Sequence, residues 1–193
     1  TTYYYTVIPY NTIGSATGCV EQSFLTAATG CYCAATPTSV DGTGITNVQV
    51  GTTNFPNTVS TAPVYNNSTA TPVNLFSGIL NNLQISFNTS VFDYNTVVWI
   101  DLNNDFNFDS TEIVFSGTSS TTSPNVQNAS FTLSPTAPLG SRRMRIVSTD
   151  ALQAPVNPCY SGAYGEVVDF TVNITAPPAC LSPTSSVTSA ITS

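Results

Sequence analysis

The chain has 193 residues, 41% of them hydrophobic, and this is enough for one domain of ordinary size with a real core. Only 7% are charged, against about 25% in an average soluble domain, and the net charge is −7. That balance argues against nucleic acid or an anionic membrane as partner. There is no His and no Lys, and the only cations are Arg142, Arg143 and Arg145. A Ser-His-Asp site, a Cys-His site and a Lys Schiff base are therefore excluded, leaving carboxylates as the only general acid–base groups and an enzyme the weakest reading. Zinc is not expected without His from five dispersed Cys. No apolar run approaches the ~18 residues of a membrane span. The first residues lack Met and a basic region, so a signal peptide is expected to have been removed or to lie outside this segment.

In chain order, Thr1–Pro9 is rich in Tyr and β-branched residues and predicts a strand, able to pair within the domain or with a neighbouring subunit. Cys19, Cys31, Cys33, Cys159 and Cys180 indicate a disulfide-permissive, extracellular setting. A local Cys19–Cys31 bridge would close a small loop; pairing of Cys31 and Cys33 elsewhere is the alternative. Strands are expected over 43–51, near 62–65 and 72–76, and over 83–87, where Leu83, Ile85 and Phe87 alternate with polar residues.

Val97-Val-Trp-Ile100 is wholly apolar and predicts a central strand buried on both sides, with Trp99 as a core anchor. It runs into an acidic loop. Asp101, Asn103, Asp105, Asn107, Asp109 and Glu112 place oxygen ligands at alternate positions and close with Glu at the twelfth, the pattern of a Ca2+ loop. Asn107 is expected to contribute its backbone carbonyl. Because the flanks read as strands, the loop belongs to a hairpin. Phe106 stands at the sixth position, where such loops take Gly for a left-handed turn. A solvated acidic hairpin tip is the plainer reading.

After the loop, Glu112–Phe115 leaves as a strand, and Ala129, Phe131 and Leu133 alternate in the next. Over Arg142–Ser148, Met144 and Ile146 share one face and Arg143, Arg145 and Val147 the other. Along Tyr164–Ile174, Glu166 shares a face with Val168, Phe170, Val172 and Ile174, while Asp169 faces the other way. Arg143 and Arg145 are the expected ion-pair partners of Glu166 and Asp169. Sequons at Asn66, Asn67, Asn88, Asn128 and Asn173 make surface glycosylation a reasonable expectation. No apolar repeat has the helical period. Strands separated by Pro, Gly and Asn turns predict an all-β fold, an antiparallel, jelly-roll-like β-sandwich of about 8–10 strands.

Three landmarks occur in order: Trp99-Ile-Asp-Leu-Asn with Asp105 and Glu112, then Arg142-Arg-Met-Arg-Ile146, then Cys159 followed by Tyr164-Gly-Glu-Val-Val-Asp-Phe-Thr-Val172. Together they resemble the GEVED domain family, a β-sandwich module of large secreted bacterial proteins, often beside fibronectin type III domains. The resemblance covers roughly residues 31–174. It departs at Val168, where the family has a second Glu, at Phe170, which replaces Tyr, and at Phe106, which replaces Gly. Tyr32-Cys33 matches the family's opening Tyr-Cys, so the resemblance implies a Cys33–Cys159 disulfide. The domains expected are an N-terminal strand and disulfide extension (1–30), the sandwich (31–175), and a linker resembling the start of a fibronectin type III segment (176–193); Cys180 is expected to belong to that next module or to remain single.

These features point to a non-catalytic extracellular module at the cell surface, part of an adhesin, stalk or filament. Calcium and disulfide would stiffen it, and copies would add head to tail through the N-terminal strand as a homo-oligomer or polymer. The alternative is a calcium-dependent carbohydrate-binding module, with glycans as partners.

Overall fold

The structure is a computed structural model. It describes residues 2–15, 17, 20–25, 30–38, 42–57, 65–88, 91–153 and 156–178. Among these residues the only helix is a single 3-10 turn, Ser110–Glu112.

Near the N-terminus, β1 (Thr2–Tyr5), β2 (Tyr10–Asn11), β3 (Gly14–Ser15) and β4 (Gln22–Leu25) form two small ladders. The strand expected at the N-terminus pairs within the chain, β1 against β4, and β2 turns onto β3. These strands belong to neither main sheet. Tyr4, Tyr5, Val7, Ile8, Tyr10, Ile13 and Val20 are exposed.

The body begins with β5 (Ile45–Val50), β6 (Thr53–Pro56) and the long β7 (Tyr65–Phe76). It continues through β8 (Leu80–Asn81), β9 (Leu83–Phe87), β10 (Tyr94–Ile100), β11 (Ile113–Thr118), β12 (Asn125–Asn128) and β13 (Phe131–Thr132). It ends with β14 (Gly140–Asp150) and β15 (Gly165–Thr175). A five-stranded sheet runs β11-β10-β14-β15-β7 and a four-stranded sheet runs β12-β9-β5-β6. The fold is an all-β sandwich.

Most strand pairs are antiparallel, as expected, but β7 pairs parallel to β15. A parallel pair needs a long crossover. Here the whole hairpin region between residues 76 and 165 supplies it. The two short strands expected near 62–65 and 72–76 are replaced by the continuous β7 from Tyr65, and residues 62–64 lie outside the described residues. The Ala129–Leu133 strand shrinks to β13, while Asn125–Asn128 supplies the sheet edge.

The core follows side-chain alternation. Val98 and Ile100 of β10, Met144 and Ile146 of β14, and Val168, Phe170, Val172 and Ile174 of β15 face the other sheet. They meet Ile45, Val48 and Val50 of β5 and Leu83, Ile85 and Phe87 of β9. The opposite face of the large sheet is also covered. Val97, Trp99, Val147 and Val167 form a second cluster with Ala35, Phe108 and Tyr160. This explains the wholly apolar β10: each of its faces packs into a different cluster.

A Cys33–Cys159 disulfide fastens that outer cover across a sequence separation of 126, with Cα atoms 5.5 Å apart. Cys31 is exposed, and the expected Cys19–Cys31 bridge involves a residue outside the described ones. Cys19 and Cys180 themselves lie outside the described residues.

Candidate functional site

The acidic loop joins β10 to the 3-10 turn that precedes β11. Its side chains organise the backbone from within. Asp101 is fully buried, and its Oδ1 accepts from the Asp105 N–H (3.3 Å) while Oδ2 accepts from the Phe106 N–H (3.2 Å). Asn103 Oδ1 accepts from the Asp105 N–H (2.9 Å), and Asp105 Oδ1 from the Asn107 N–H (2.8 Å). Each oxygen-bearing residue therefore holds an amide two to five positions on, and the chain curls around them.

Asn104 and Phe106 take positive φ, 59° and 69°. Phe106 thus adopts the left-handed turn that its position calls for, at a cost of about 1–2 kcal/mol for a residue with Cβ. Its ring supplies the compensation, lying 5.4 Å from the Tyr32 ring. Gly30 makes room: a Cβ there would stand 2.5 Å from Phe106 Cδ2.

Asp109 caps the 3-10 turn, accepting from the Thr111 hydroxyl (2.5 Å) and N–H (2.8 Å), and these bonds hold its carboxyl below the usual range. Glu112 completes the capping box. It is only 4% exposed, and burial raises its pKa although the N–H groups of Asp109, Asn103 and Leu102 oppose the shift. Asn103, Asp105, Asn107 and Asp109 remain exposed. The six predicted ligands thus share one loop, but their carboxylates are turned onto backbone amides. Among the described residues no group of three or more acidic or Cys side chains stands together as a metal site.

One observation fits a cation. The two ion pairs found among the described residues both go to Asp169, so Asp101 and Glu112 are buried without a cationic side chain. The donors are all oxygen, the set a hard cation takes.

Tyr32 connects this loop to the outer cover. Its hydroxyl donates to Asp101 Oδ2 at 2.6 Å, its ring stacks on Phe108 at 5.0 Å, and the Arg143 guanidinium lies 5.0 Å from its centroid. Burial, then the bond to Asp101, pushes its pKa up. Beside it, Arg145 grips Asp169 with Nε to Oδ1 (2.7 Å) and Nη2 to Oδ2 (2.8 Å). Burial alone would lower the Arg145 pKa, but the bonds to Asp169 more than offset it and the net shift is upward. Arg143 reaches the same carboxylate at 3.1 Å, and the Tyr65 hydroxyl donates to it at 2.9 Å. Arg145 Nη1 also donates to the carbonyls of Cys33 (2.9 Å) and Pro158 (2.8 Å), tying the network to both ends of the disulfide.

Glu166 does not join these ion pairs. Strand alternation puts it on the inter-sheet face, away from Asp169 and both Arg. There it accepts from the Ile45 N–H at 2.6 Å, from Asn57 Nδ2, and from Asn66 Nδ2 at 3.4 Å. Burial pushes its pKa up to about 7, with the Ile45 and Asn57 bonds opposing. Trp99 sits in the second cluster, 3% exposed, as an anchor. Of the sequon residues, Asn67, Asn88 and Asn128 are exposed, while Asn66 and Asn173 are half-buried. The roles of Tyr32, Tyr65 and Asn57 had no signal in the sequence beyond the place of Tyr32 next to Cys33.

No curated protein matches the chain. The family model described as "GEVED domain" matches residues 95–173, the span from β10 through the acidic loop to β15. Loop, arginine strand and Gly165-Glu-Val motif all lie inside that match, so residues 95–173 of this chain are similar to the GEVED domain family.

Proposed function

We propose that this chain is a non-catalytic structural module of the cell exterior, stiffened by the Cys33–Cys159 disulfide and by one Ca2+ in the Asp101–Glu112 loop. The observation that carries the metal reading is the burial of Asp101 and Glu112 without a cationic partner. Leaving two carboxylates so placed is costly, and a divalent cation offsets both. Asp101, Asn103, Asp105, Asp109 and Glu112 would offer side-chain oxygens and Asn107 its carbonyl. Calcium would supply charge neutralisation and cross-linking only. The structural reading is favoured because the buried charges around Asp169 close on one another: its carboxylate is satisfied by Arg145, Arg143 and Tyr65.

In thermal unfolding, calcium should raise the melting temperature of chelator-treated protein, magnesium should do less, and Asp105→Ala should abolish the gain. An unchanged melting temperature in calcium would count against the metal.

The N-terminal ladders are the proposed assembly element, because they carry exposed Tyr, Val and Ile side chains that a neighbouring copy would cover. Removing residues 1–25 should leave a folded monomer and abolish any polymer visible by electron microscopy. A truncated chain that still polymerises would refute strand donation.

A further inference from the structure

On the outer face of the five-stranded sheet, a cleft of about 520 Å³ opens between the segment around Tyr32 and the strands β14 and β15. Its volume lies in the range of small-molecule sites. Tyr32, Tyr65 and Phe106 line it with rings, and Arg143, Arg145 and Asp169 are its charged groups.

The floor is closed to any ligand. Asp169 already accepts from Arg145 twice, from Arg143 and from Tyr65. Arg145 is spent on Asp169 and on the Cys33 and Pro158 carbonyls. Arg143 differs. Its side chain is 26% exposed and makes one hydrogen bond to the described residues, at 3.1 Å, from a group with five N–H donors. The guanidinium lies over the Tyr32 ring, 5.0 Å from its centroid. Two guanidinium groups face one carboxylate, so the cleft carries a local excess of positive charge in a chain of net charge −7. Asp101, which Tyr32 brings up to the cleft wall, is fully buried, bonded to the Tyr32 hydroxyl, and does not line the cleft.

Half-buried aromatic walls and one under-used guanidinium define the ligand chemistry: an apolar ring face joined to a carboxylate. We propose that this cleft binds a carboxylate-bearing sugar, a uronic or sialic acid. Arg143 takes the carboxylate side-on, and the rings of Tyr65 and Phe106 receive the C–H face of the sugar, while Tyr32, held between Phe108 and Arg143, backs the guanidinium. None of the charged groups of the cleft is a proposed metal ligand, although the Tyr32 hydroxyl and the Phe106 N–H both donate to Asp101 of the loop.

Calorimetric titration of the full chain separates the sources. Trigalacturonate tests uronic acids and sialyllactose tests sialic acids; methyl-esterified trigalacturonate and lactose are the neutral controls. One acidic sugar should bind at least about tenfold more tightly than its neutral counterpart, and more weakly as salt rises. Arg143→Gln should lower that affinity about tenfold or more, and Arg143→Lys should restore only part of it, because an ammonium cannot bind side-on. Asp169 keeps its two bonds from Arg145 in both variants, so the fold is retained. Equal binding of acidic and neutral sugars, unchanged affinity in Arg143→Gln, or no binding of either acid at millimolar concentration would overturn the proposal. The comparison of acidic with neutral sugar on the unaltered protein decides the matter even if a variant misfolds.

Discussion

The Tyr32 hydroxyl meets Asp101 at 2.6 Å, and a hydrogen bond to a buried carboxylate is worth about 1.5–3 kcal/mol. Tyr32→Phe keeps the ring stack on Phe108 and removes only that bond. Urea denaturation should show a loss of this size with the slope unchanged. Asp169 is a more severe case. Its removal strands Arg145, itself only 2% exposed, without a counter-charge. Asp169→Ala should therefore destabilise by about 3–5 kcal/mol, enough for soluble expression to fall visibly. At this scale the sequence was partly readable. Alternation along β14 and β15 put Arg143, Arg145 and Asp169 on one face, because strand side chains have a period of two. It could not assign Tyr32 to Asp101, since those residues lie 69 positions apart and meet only after the outer cover folds back.

Among the elements, β15 binds the molecule together. It pairs with β14 on one side and β7 on the other, and presents a different chemistry on each face. On the inner face Glu166 bonds the Ile45 N–H of the second sheet. Burial raises its folded pKa to about 7 from an ordinary 4.5. A raised carboxyl binds its proton more tightly in the folded state. The stability it contributes is present in full below about pH 4.5 and is lost as pH rises through 7. The difference is on the order of 3 kcal/mol. Glu166→Gln should flatten this part of the pH–stability profile, visible as a pH-dependent gap between the two proteins' denaturation midpoints. A gap constant between pH 4 and 8 would show that Glu166 does not titrate there. The expectation that Arg143 or Arg145 would pair with Glu166 fails for a geometric reason: both arginines project to the outer face. Nor did local pattern reveal the parallel β7–β15 pair, because periodicity predicts strands but not which distant strand lies alongside.

Over the whole molecule, two sheets enclose one core and a disulfide-fastened cover closes a second on the outer face. The Cys33–Cys159 link spans 126 residues, so its contribution in the chain-entropy model is about 5 kcal/mol. Replacing both Cys by Ser should lower the denaturation midpoint accordingly, and should expose Trp99 of the outer cluster to quenching before the inner core opens. The sandwich was legible because alternating strands and Pro, Gly and Asn turns leave few other architectures. The acidic loop was legible as a unit for the same local reason, but Phe106 in place of Gly argued against the left-handed turn that the chain in fact adopts there. What stayed hidden was the direction of its carboxylates, which depends on whether backbone amides or a cation hold them. Backbone amides hold them in this structure, and we propose that a cation joins those amides. Calorimetric titration of the chelator-treated chain with calcium measures this most directly. One ion should bind per chain, and Asp105→Ala should abolish that binding; the absence of any heat of binding, with the fold intact, would mean that the loop holds no calcium.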